Sequence, residues 1–455
     1  MKIAPLLTAL LFFCALSPAC ADWVGDALTK EANYLCDASF TEYATNHSDA
    51  VPSADAYGAI NDVRIYHSGP DWVRPGESAI AAIGLMAAAR QLHTANKDTA
   101  RYDAVLPQFF QTWLLLRRQG WDTNAKDADF GGMARRVYYD GAGHWQRNDA
   151  YSTGTTGIMV VAMWKYAEYL TATGQRPEAA QWLRDAWPIA QAAGDYLRRT
   201  YDRRYRLVRG SATLQDLWVS DSVFSADALR CLACWAMAVK QTIAFGYTAL
   251  ANQLLQGIQA MQDTGAKKNF FKFRSRAQGY KPTYGAWIDQ LCFLPYEADA
   301  LPASSLFARQ ISDWWTEGGE GVSMTAQTDT PSGWRYYGVH WHYYFAARPE
   351  NAYLYPGPSL QLAEMEWKAG TALHDPVLMQ RARHRFEWVK SAAYSNLWLE
   401  NTSEAGVGGG IADWRDGGNY THKADDWQRF VDTSSYFIQV TLMICYGHDT
   451  TYVPE

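Results

Sequence analysis

The sequence has 455 residues, a formal net charge of −6 at neutral pH, and a high aromatic content with 20 Trp and 28 Tyr. It contains no run of five like charges and no basic stripe, which argues against a nucleic-acid-binding protein. Tyr and Trp combine an apolar face with a polar tip. Their surplus over the needs of a core favours a cleft that stacks on sugar rings.

Residues 1–21 have the pattern of a secretory signal peptide. Lys2 precedes an apolar run from Ile3 to Leu16, and Ala19 to Ala21 form a small-x-small cleavage site. The run is too short to span a bilayer, which needs roughly 20 apolar residues, and no later segment reaches that length. We therefore predict a mature protein of residues 22–455 without a membrane segment, secreted to the outside or, in a bacterium, to the periplasm.

A repeat organises the rest of the chain. Six times, a loop rich in Trp and Tyr runs into a helix-period stretch of small and apolar residues. The six stretches begin at Pro70, Asn148, Asp216, Thr283, Glu350 and Phe430, which are 67–80 residues apart. Each unit has room for two helices and a long connector.

Amphipathic second helices are predicted between these stretches. They cover residues 102–118, 177–200, 245–262, 303–315 and 375–394. The sixth stretch is followed by too little sequence for a partner of its own. A helix over residues 23–43 can supply that partner and close the six units into a ring.

Six inner helices rich in small residues, surrounded by six more highly charged outer helices, resemble the (α/α)6 toroid of the six-hairpin glycosidases and related polysaccharide lyases. The resemblance covers almost all of residues 22–455 and rests on repeat pattern and composition, without the motif of a particular family. It implies an all-α, single-domain fold and an enzyme that degrades glycans. In such a toroid the N-termini of the inner helices, and the loops that lead into them, surround one mouth.

Acidic and aromatic residues cluster at the predicted starts of the inner helices. For any one of them N-capping is the simpler interpretation, but the set favours a glycan site. Glycoside hydrolysis needs one protonated carboxyl and one carboxylate. Asp289, beside Trp and Leu, suits a general acid because desolvation raises a carboxyl pKa. Asp432, beside polar residues, suits an ionised base, and Glu77 and Asp149 are reserve candidates. Inversion is the outcome that the resemblance implies.

The loop over residues 333–357 supports an alternative enzyme, a lyase acting on a uronate polymer. It contains His340, His342, Arg348 and Tyr355. The resemblance to toroidal lyases implies that Arg348 would neutralise the uronate while Tyr343 or Tyr355, with His340 or His342, moves the proton. A loop packed by its own aromatics is the third interpretation. Because spacing fixes no third ligand beside the two histidines, we predict no metal, and no cofactor.

We predict a monomer whose partner is an oligo- or polysaccharide. The residues expected to contact it are Trp72, Trp218, Asp221, Trp287, His342, Arg348 and Trp414. Two further functions stay open, a glycan-binding toroid without catalysis and a cyclase for a hydrophobic small molecule. The absence of a DxDD or DDxxD motif argues against the cyclase.

Covalent modifications are also predicted. If the ring closes, Cys36 and Cys445 face each other, so they are the predicted disulfide. Three Asn-x-Ser/Thr sequons mark glycosylation sites if the pathway is eukaryotic. They lie at Asn46, Asn401 and Asn419.

Overall fold

The computed structural model describes residues 18–39, 60, 63–65, 72–139, 145–147, 151–262, 271–274, 276–283, 294–302, 306–317, 339–340, 353–390, 415–416 and 428–448. Within these ranges lie twelve α-helices: α1 Pro18–Asp37, α2 Pro75–Thr94, α3 Ala100–Pro107, α4 Thr153–Ala172, α5 Arg176–Thr200, α6 Val219–Ala238, α7 Ala244–Ala260, α8 Leu294–Glu297, α9 Leu306–Glu317, α10 Pro356–Leu373, α11 Pro376–Lys390 and α12 Val431–Tyr446. Helix α3 continues as a π-helix over Gln108–Leu116, and a 3-10 turn covers Arg276–Gln278.

The even-numbered helices form a closed inner ring. Each packs against the next one along the chain, and α12 packs against α2 to close the circle. The odd-numbered helices pack on the outside of this ring, and α1 packs against both α2 and α12, where the twelfth helix was expected. This arrangement confirms the predicted all-α (α/α)6 toroid.

Small residues allow the inner helices to approach one another closely. A Cβ atom at Gly84 of α2 would lie 2.7 Å from the Cα atom of Ser435 in α12. A Cβ atom at Gly157 of α4 would lie 2.6 Å from the carbonyl carbon of Phe224 in α6. The Ser435 hydroxyl also donates to a carbonyl of α2, that of Ile80, at 2.5 Å. Any larger residue at the two glycines would push neighbouring inner helices apart.

Two indole groups attach the outer helix α5 to the ring. Trp182 of α5 donates its Nε1–H to the Met163 carbonyl of α4 at 2.9 Å. Trp235 of α6 donates in the opposite direction, to the Leu183 carbonyl of α5 at 2.8 Å. Both rings are buried, so each indole contributes apolar area and satisfies its polar atom at the same time.

A buried ion pair connects the ring to two further outer helices. Glu366 of α10 accepts from Arg385 Nε of α11 at 2.8 Å and from Arg385 Nη2 at 2.9 Å. Its Oε1 atom also accepts from the hydroxyl of Ser312 in α9 at 2.7 Å. The bidentate geometry and the third hydrogen bond are the conditions under which a buried ion pair is tolerated.

Short strands lie in the segments between the helices. The described strands are β1 Val63–Ile65, β2 Trp72–Val73, β3 Met133–Ala134, β4 Val137–Tyr139, β5 Trp145–Arg147, β6 Tyr151–Ser152, β7 Tyr201–Asp202, β8 Leu207–Val208, β9 Phe273–Arg274, β10 Pro282–Thr283, β11 Val339–His340, β12 Tyr353–Tyr355, β13 Arg415–Asp416 and β14 Gln428–Phe430. They pair antiparallel in sheets of two or three strands. Strands β2, β6, β12 and β14 lead directly into inner helices, so these ribbons surround the mouth.

The predicted disulfide is wrong, because both Cys36 and Cys445 are thiols in the structure. Cys36 is fully buried in α1, and its position near Tyr102 is one cause, after burial, of a pKa of about 12 for that phenol. Cys445 instead lies beside Tyr446 in the last turn of α12, where it adds to the effect of burial in raising the pKa of that phenol. Ring closure therefore brings α1 and α12 together without a disulfide between Cys36 and Cys445. None of the described helices is long and apolar enough to cross a membrane.

Candidate active site at the mouth of the toroid

Two of the predicted catalytic carboxyls lie on neighbouring inner helices at the mouth. Glu77 is in the first turn of α2, and Asp432 is in the first turn of α12. Arg74, the N-cap residue of α2, places its Nη1 atom 3.3 Å from Glu77 Oε1. The backbone N–H of Thr433 donates to Asp432 Oδ1 at 2.7 Å. The site thus contains two carboxyls and one guanidinium.

The local chain path explains this placement. Pro75 occupies the first position of α2, where a proline costs no backbone hydrogen bond, and Arg74 before it is extended. Strand β1 pairs antiparallel with β14, with Val63 opposite Phe430. Because β1 lies shortly before α2 and β14 leads straight into α12, the ribbon holds the two helix starts side by side.

Burial changes the acidity of both groups, and repulsion between the carboxyls adds to the change at Glu77. Burial raises the pKa of Glu77 to about 7, and the charge of Asp432 adds to the increase while Arg74 opposes it. Burial also raises the pKa of Asp432, against the Thr433 N–H and Arg74, which lower it. The polar surroundings predicted for Asp432 are therefore present, but burial outweighs them. Two neighbouring carboxyls with raised pKa values are suited to acid–base chemistry.

Asp221, predicted to bind substrate, lies in the first turn of α6 and contacts the start of α4. Burial raises its pKa to about 7, against the opposing effects of Arg135 and of the Gly154 backbone N–H. A Cβ atom at Gly154 would collide with Asp221 Oδ1. The carboxylate therefore lies against the N-terminus of a neighbouring inner helix, where an anion is stabilised. This contact favours the capping interpretation for Asp221.

The structure describes only some of the predicted aromatic residues and lyase candidates. Trp218 immediately precedes α6 and packs, partly buried, against the core. The backbone of Trp72 lies in β2, opposite Tyr138. His340 and Tyr355 lie on the paired strands β11 and β12, and β12 leads into α10. These segments are therefore at the mouth.

The other predicted site residues lie outside the described residues and stay predictions. They are Asp149, Asp289, Trp287, His342, Arg348 and Trp414, together with the sequons at Asn46, Asn401 and Asn419.

The sequence analysis missed a second group of carboxyls, inside the ring between α6, α8 and α10. We call Asp227, Glu297, Glu364 and Lys368 the internal cluster. Lys368 Nζ lies 2.9 Å from Glu364 Oε1 and donates to the Glu297 carbonyl at 2.6 Å. Among the described residues, the carboxylate oxygens of Asp227 and Glu297 have no hydrogen-bond partner. Acidic residues within helices of small apolar residues were a visible signal for this cluster.

The internal cluster lies below the mouth. Tyr436, one turn along α12 from Asp432, is buried, and its pKa is raised by burial and then by Glu297, Asp432 and Glu364. Its phenol is therefore within electrostatic reach of the carboxyls of both regions. In the described part of the chain, no group of three or more His, Cys, Asp or Glu residues has the geometry to hold a metal ion.

Comparison with known proteins defines the fold. No protein-family model matches the chain, and no curated protein matches its sequence. A D-mannose isomerase is 12% identical with a TM-score of 0.58, covering 94% of this chain and 98% of its own. A wild-type glycosidase is 14% identical with a TM-score of 0.54, covering 97% and 100%. A GH63 mannosylglycerate hydrolase from Thermus thermophilus, in complex with glucose, is 14% identical with a TM-score of 0.53, covering 92% and 99%. The chain thus has the six-hairpin glycosidase-like toroid fold.

Proposed function

We propose that this protein is an exported, monomeric glycoside hydrolase that cleaves an oligo- or polysaccharide with inversion at the mouth of the toroid. The observation that carries the proposal is the pair of partly buried carboxyls, Glu77 and Asp432, which share Arg74 at the starts of adjacent inner helices. Glycosidases among the solved structures of the same fold support a carbohydrate substrate.

The two carboxyls take different roles. Glu77, with a pKa of about 7, remains largely protonated at mildly acidic pH and donates a proton to the leaving oxygen. Asp432, which the Thr433 N–H and Arg74 help to ionise, removes a proton from the attacking water. Inversion requires about 6.5–9.5 Å between the carboxyls so that water fits against the sugar. Glu77 thus takes the acid role that was predicted for Asp289, which stays a second candidate.

Arg74 is proposed as a positioning residue. Its Nη1 atom contacts Glu77, and its charge lowers the pKa of both carboxyls. After proton donation by Glu77, the site holds a new negative charge, which the guanidinium compensates. Arg74→Met should therefore raise the pKa values that govern the pH–rate profile, an effect that a purely structural role would not produce.

The test is a screen of neutral and acidic polysaccharides that detects both new reducing ends and unsaturated products. Reducing ends without ultraviolet-absorbing products, lost in Glu77→Gln and Asp432→Asn, would support the hydrolase. Glu168→Gln is a matched control, because Glu168 lies near the other end of inner helix α4 in a partly exposed pair with Lys165.

Other outcomes would replace the proposal. Unsaturated products that disappear in His340→Ala, Arg348→Ala or Tyr355→Phe would show a lyase. Binding of a glycan without any product would show a carbohydrate-binding toroid. If no glycan is bound or cleaved, the hydrophobic small-molecule alternative becomes the function to examine.

A further inference from the structure

Arginines are concentrated in one short segment at the end of α5. Six lie between positions 198 and 209, in a chain with a net charge of −6. They are Arg198, Arg199, Arg203, Arg204, Arg206 and Arg209. The segment leads into inner helix α6, so it lies at the mouth end of the toroid but on its outer wall. A local excess of arginine therefore lies outside the proposed active site.

Four of these arginines line a groove between the outer helices α5 and α7. The groove has a volume of about 1010 Å³ and is lined by Arg198, Arg199, Arg203 and Arg206, with Tyr201 and Gln253 among its other residues. Asp195 is the acidic residue in the lining, so four arginines and one aspartate give the groove a formal charge of +3. A concave surface of this charge concentrates anions.

Contacts between the segment and α7 give the groove its shape. The Tyr201 hydroxyl donates to Gln253 Oε1 at 2.8 Å. Arg206 Nη1 donates to Gln256 Oε1 at 2.5 Å. Both acceptors are on α7, whereas both donors follow α5, so the two hydrogen bonds bridge the groove. The walls are therefore ordered before any ligand arrives, which reduces the entropic cost of binding.

Only some of the four groove arginines serve to stabilise helix α5. Arg198 pairs with Asp195 at 3.3 Å, and Arg199 donates to the Phe130 carbonyl. Both occupy the last turn of α5, where cations stabilise a helix. Arg203 and Arg206 are exposed, and within the described residues neither pairs with a carboxylate. A guanidinium presents paired donors that match a carboxylate or sulfate group.

The same arginine-rich segment contains an aromatic residue, Tyr205. The guanidinium carbons of Arg204 and Arg274 lie 5.1 Å and 4.5 Å from the ring centre of Tyr205. The ring of Tyr280 lies 5.5 Å from that of Tyr205. Rings held by arginines offer stacking surface beside charge, a combination that suits a chain with both sugar faces and anionic groups.

We propose that the groove between α5 and α7 is a second carbohydrate site, which binds an acidic glycan through Arg203 and Arg206. The inference rests on the proposed function for its choice of a glycan over a nucleic acid, a choice that the negative charge of the whole chain also favours. The groove holds the anionic chain outside the mouth and raises its local concentration there. Its ligands are polysaccharides with carboxylate or sulfate groups.

The test compares Arg203→Ala/Arg206→Ala with the wild-type protein in calorimetric binding to polygalacturonate, dextran sulfate, neutral dextran and a DNA duplex. The wild-type protein should bind one or both anionic glycans, with an affinity that decreases as salt increases, and should not bind neutral dextran. The double variant should bind at least about tenfold more weakly, because two of the four arginines that line the groove lose their charge-assisted contacts with the ligand. The two anionic glycans distinguish carboxylate from sulfate recognition.

Arg184→Ala is the matched control, because Arg184 is an exposed arginine of the same helix, bonded to Gln181 outside the groove. It should bind as the wild-type protein does. Unchanged binding in the double variant, equal loss in the control, no binding to any probe, or tighter binding to DNA would each overturn the proposal. Turnover of a short neutral oligosaccharide should be unaffected. Arginine-dependent binding without cleavage of any glycan would reject the hydrolase and keep the site.

Discussion

The mouth and the internal cluster contain similar groups but differ in access. At the mouth, Glu77 is 28% exposed and shares Arg74 with Asp432, whose carboxylate also accepts a backbone hydrogen bond. In the internal cluster, the side chains of Asp227 and Glu364 are fully buried. Burial is the largest cause of the raised carboxyl pKa values in both regions.

The comparison shows that a raised carboxyl pKa does not by itself identify an active site. A substrate can reach Glu77, whereas it cannot reach a carboxyl enclosed between α6, α8 and α10 unless the ring opens. The mouth should therefore control catalysis, and the internal cluster should control stability and its dependence on pH. Each of the following experiments tests one side of that division.

The largest expected effect is on turnover. On the proposed mechanism Glu77→Gln and Asp432→Asn each lower kcat by about 10²–10⁴-fold, because each removes one acid–base role. The free energy of unfolding should change little, since the amide keeps the size and loses a partly buried charge. Steady-state kinetics and urea unfolding measure the two effects. Loss of stability with normal turnover would assign the pair to the fold instead.

Removal of Lys368, the cation of the internal cluster, should have the largest effect on stability. Lys368→Met leaves Glu364, its partner at 2.9 Å, as a buried and uncompensated charge, and we expect a loss of about 3–5 kcal/mol in the free energy of unfolding. Lys165→Met removes a more exposed pair with Glu168. It should lower the free energy of unfolding by about 1 kcal/mol or less. Equal losses in the two variants would contradict the difference between the regions.

The carboxyls at the mouth should give the pH–rate profile an alkaline limb, which is a decrease in activity as pH rises. If Glu77 is the general acid, kcat/KM falls as pH rises through its pKa of about 7, because the deprotonated form cannot donate. The decrease approaches tenfold per pH unit. In Glu77→Gln the limb should be absent from the residual activity. A limb that persists in this variant would assign the acid role to another group, with Asp289 the first to test.

The smallest expected effect is the pH dependence of stability. Burial raises the pKa of Glu297 well above its ordinary value of 4.5. The native protein therefore keeps a proton that the unfolded chain releases, so stability is lost as pH rises above about 4.5, at up to roughly 1.4 kcal/mol per pH unit. Glu297→Gln should reduce this slope. Urea unfolding at several pH values between about 5 and 7.5 measures the change, and an identical slope would show that Glu297 ionises normally.

The fold was predictable because the repeat is visible in the spacing of small-residue helices. The outer helix predicted over residues 177–200 is Arg176–Thr200 in the structure. Some details of the helices depend on single residues, so the hydrophobic periodicity of the sequence could not show them. Pro107 lies where α3 changes into a π-helix, since proline lacks the N–H that an α-helix needs.

The candidate site was predictable in part. Glu77 and Asp432 were recognised as acidic residues at helix starts, but their proximity depends on closure of the ring between distant parts of the chain. Their relative acidity depends on burial, which neighbours in sequence do not determine. The internal cluster shows the same limit, because its acidic residues are visible within helices of small apolar residues, but Asp227, Glu297 and Glu364 become a cluster only when three helices bring them together.

The position of α1 has a consequence for how the molecule assembles. Helix α1 packs against α2 nearby in sequence, but also against α12, which is almost the whole chain length away. Contacts between such distant segments cost the most loop entropy and form late. Helix α1 must therefore keep one apolar side uncovered until the last inner helix is in place, and this interval is when the chain depends most on protection from aggregation.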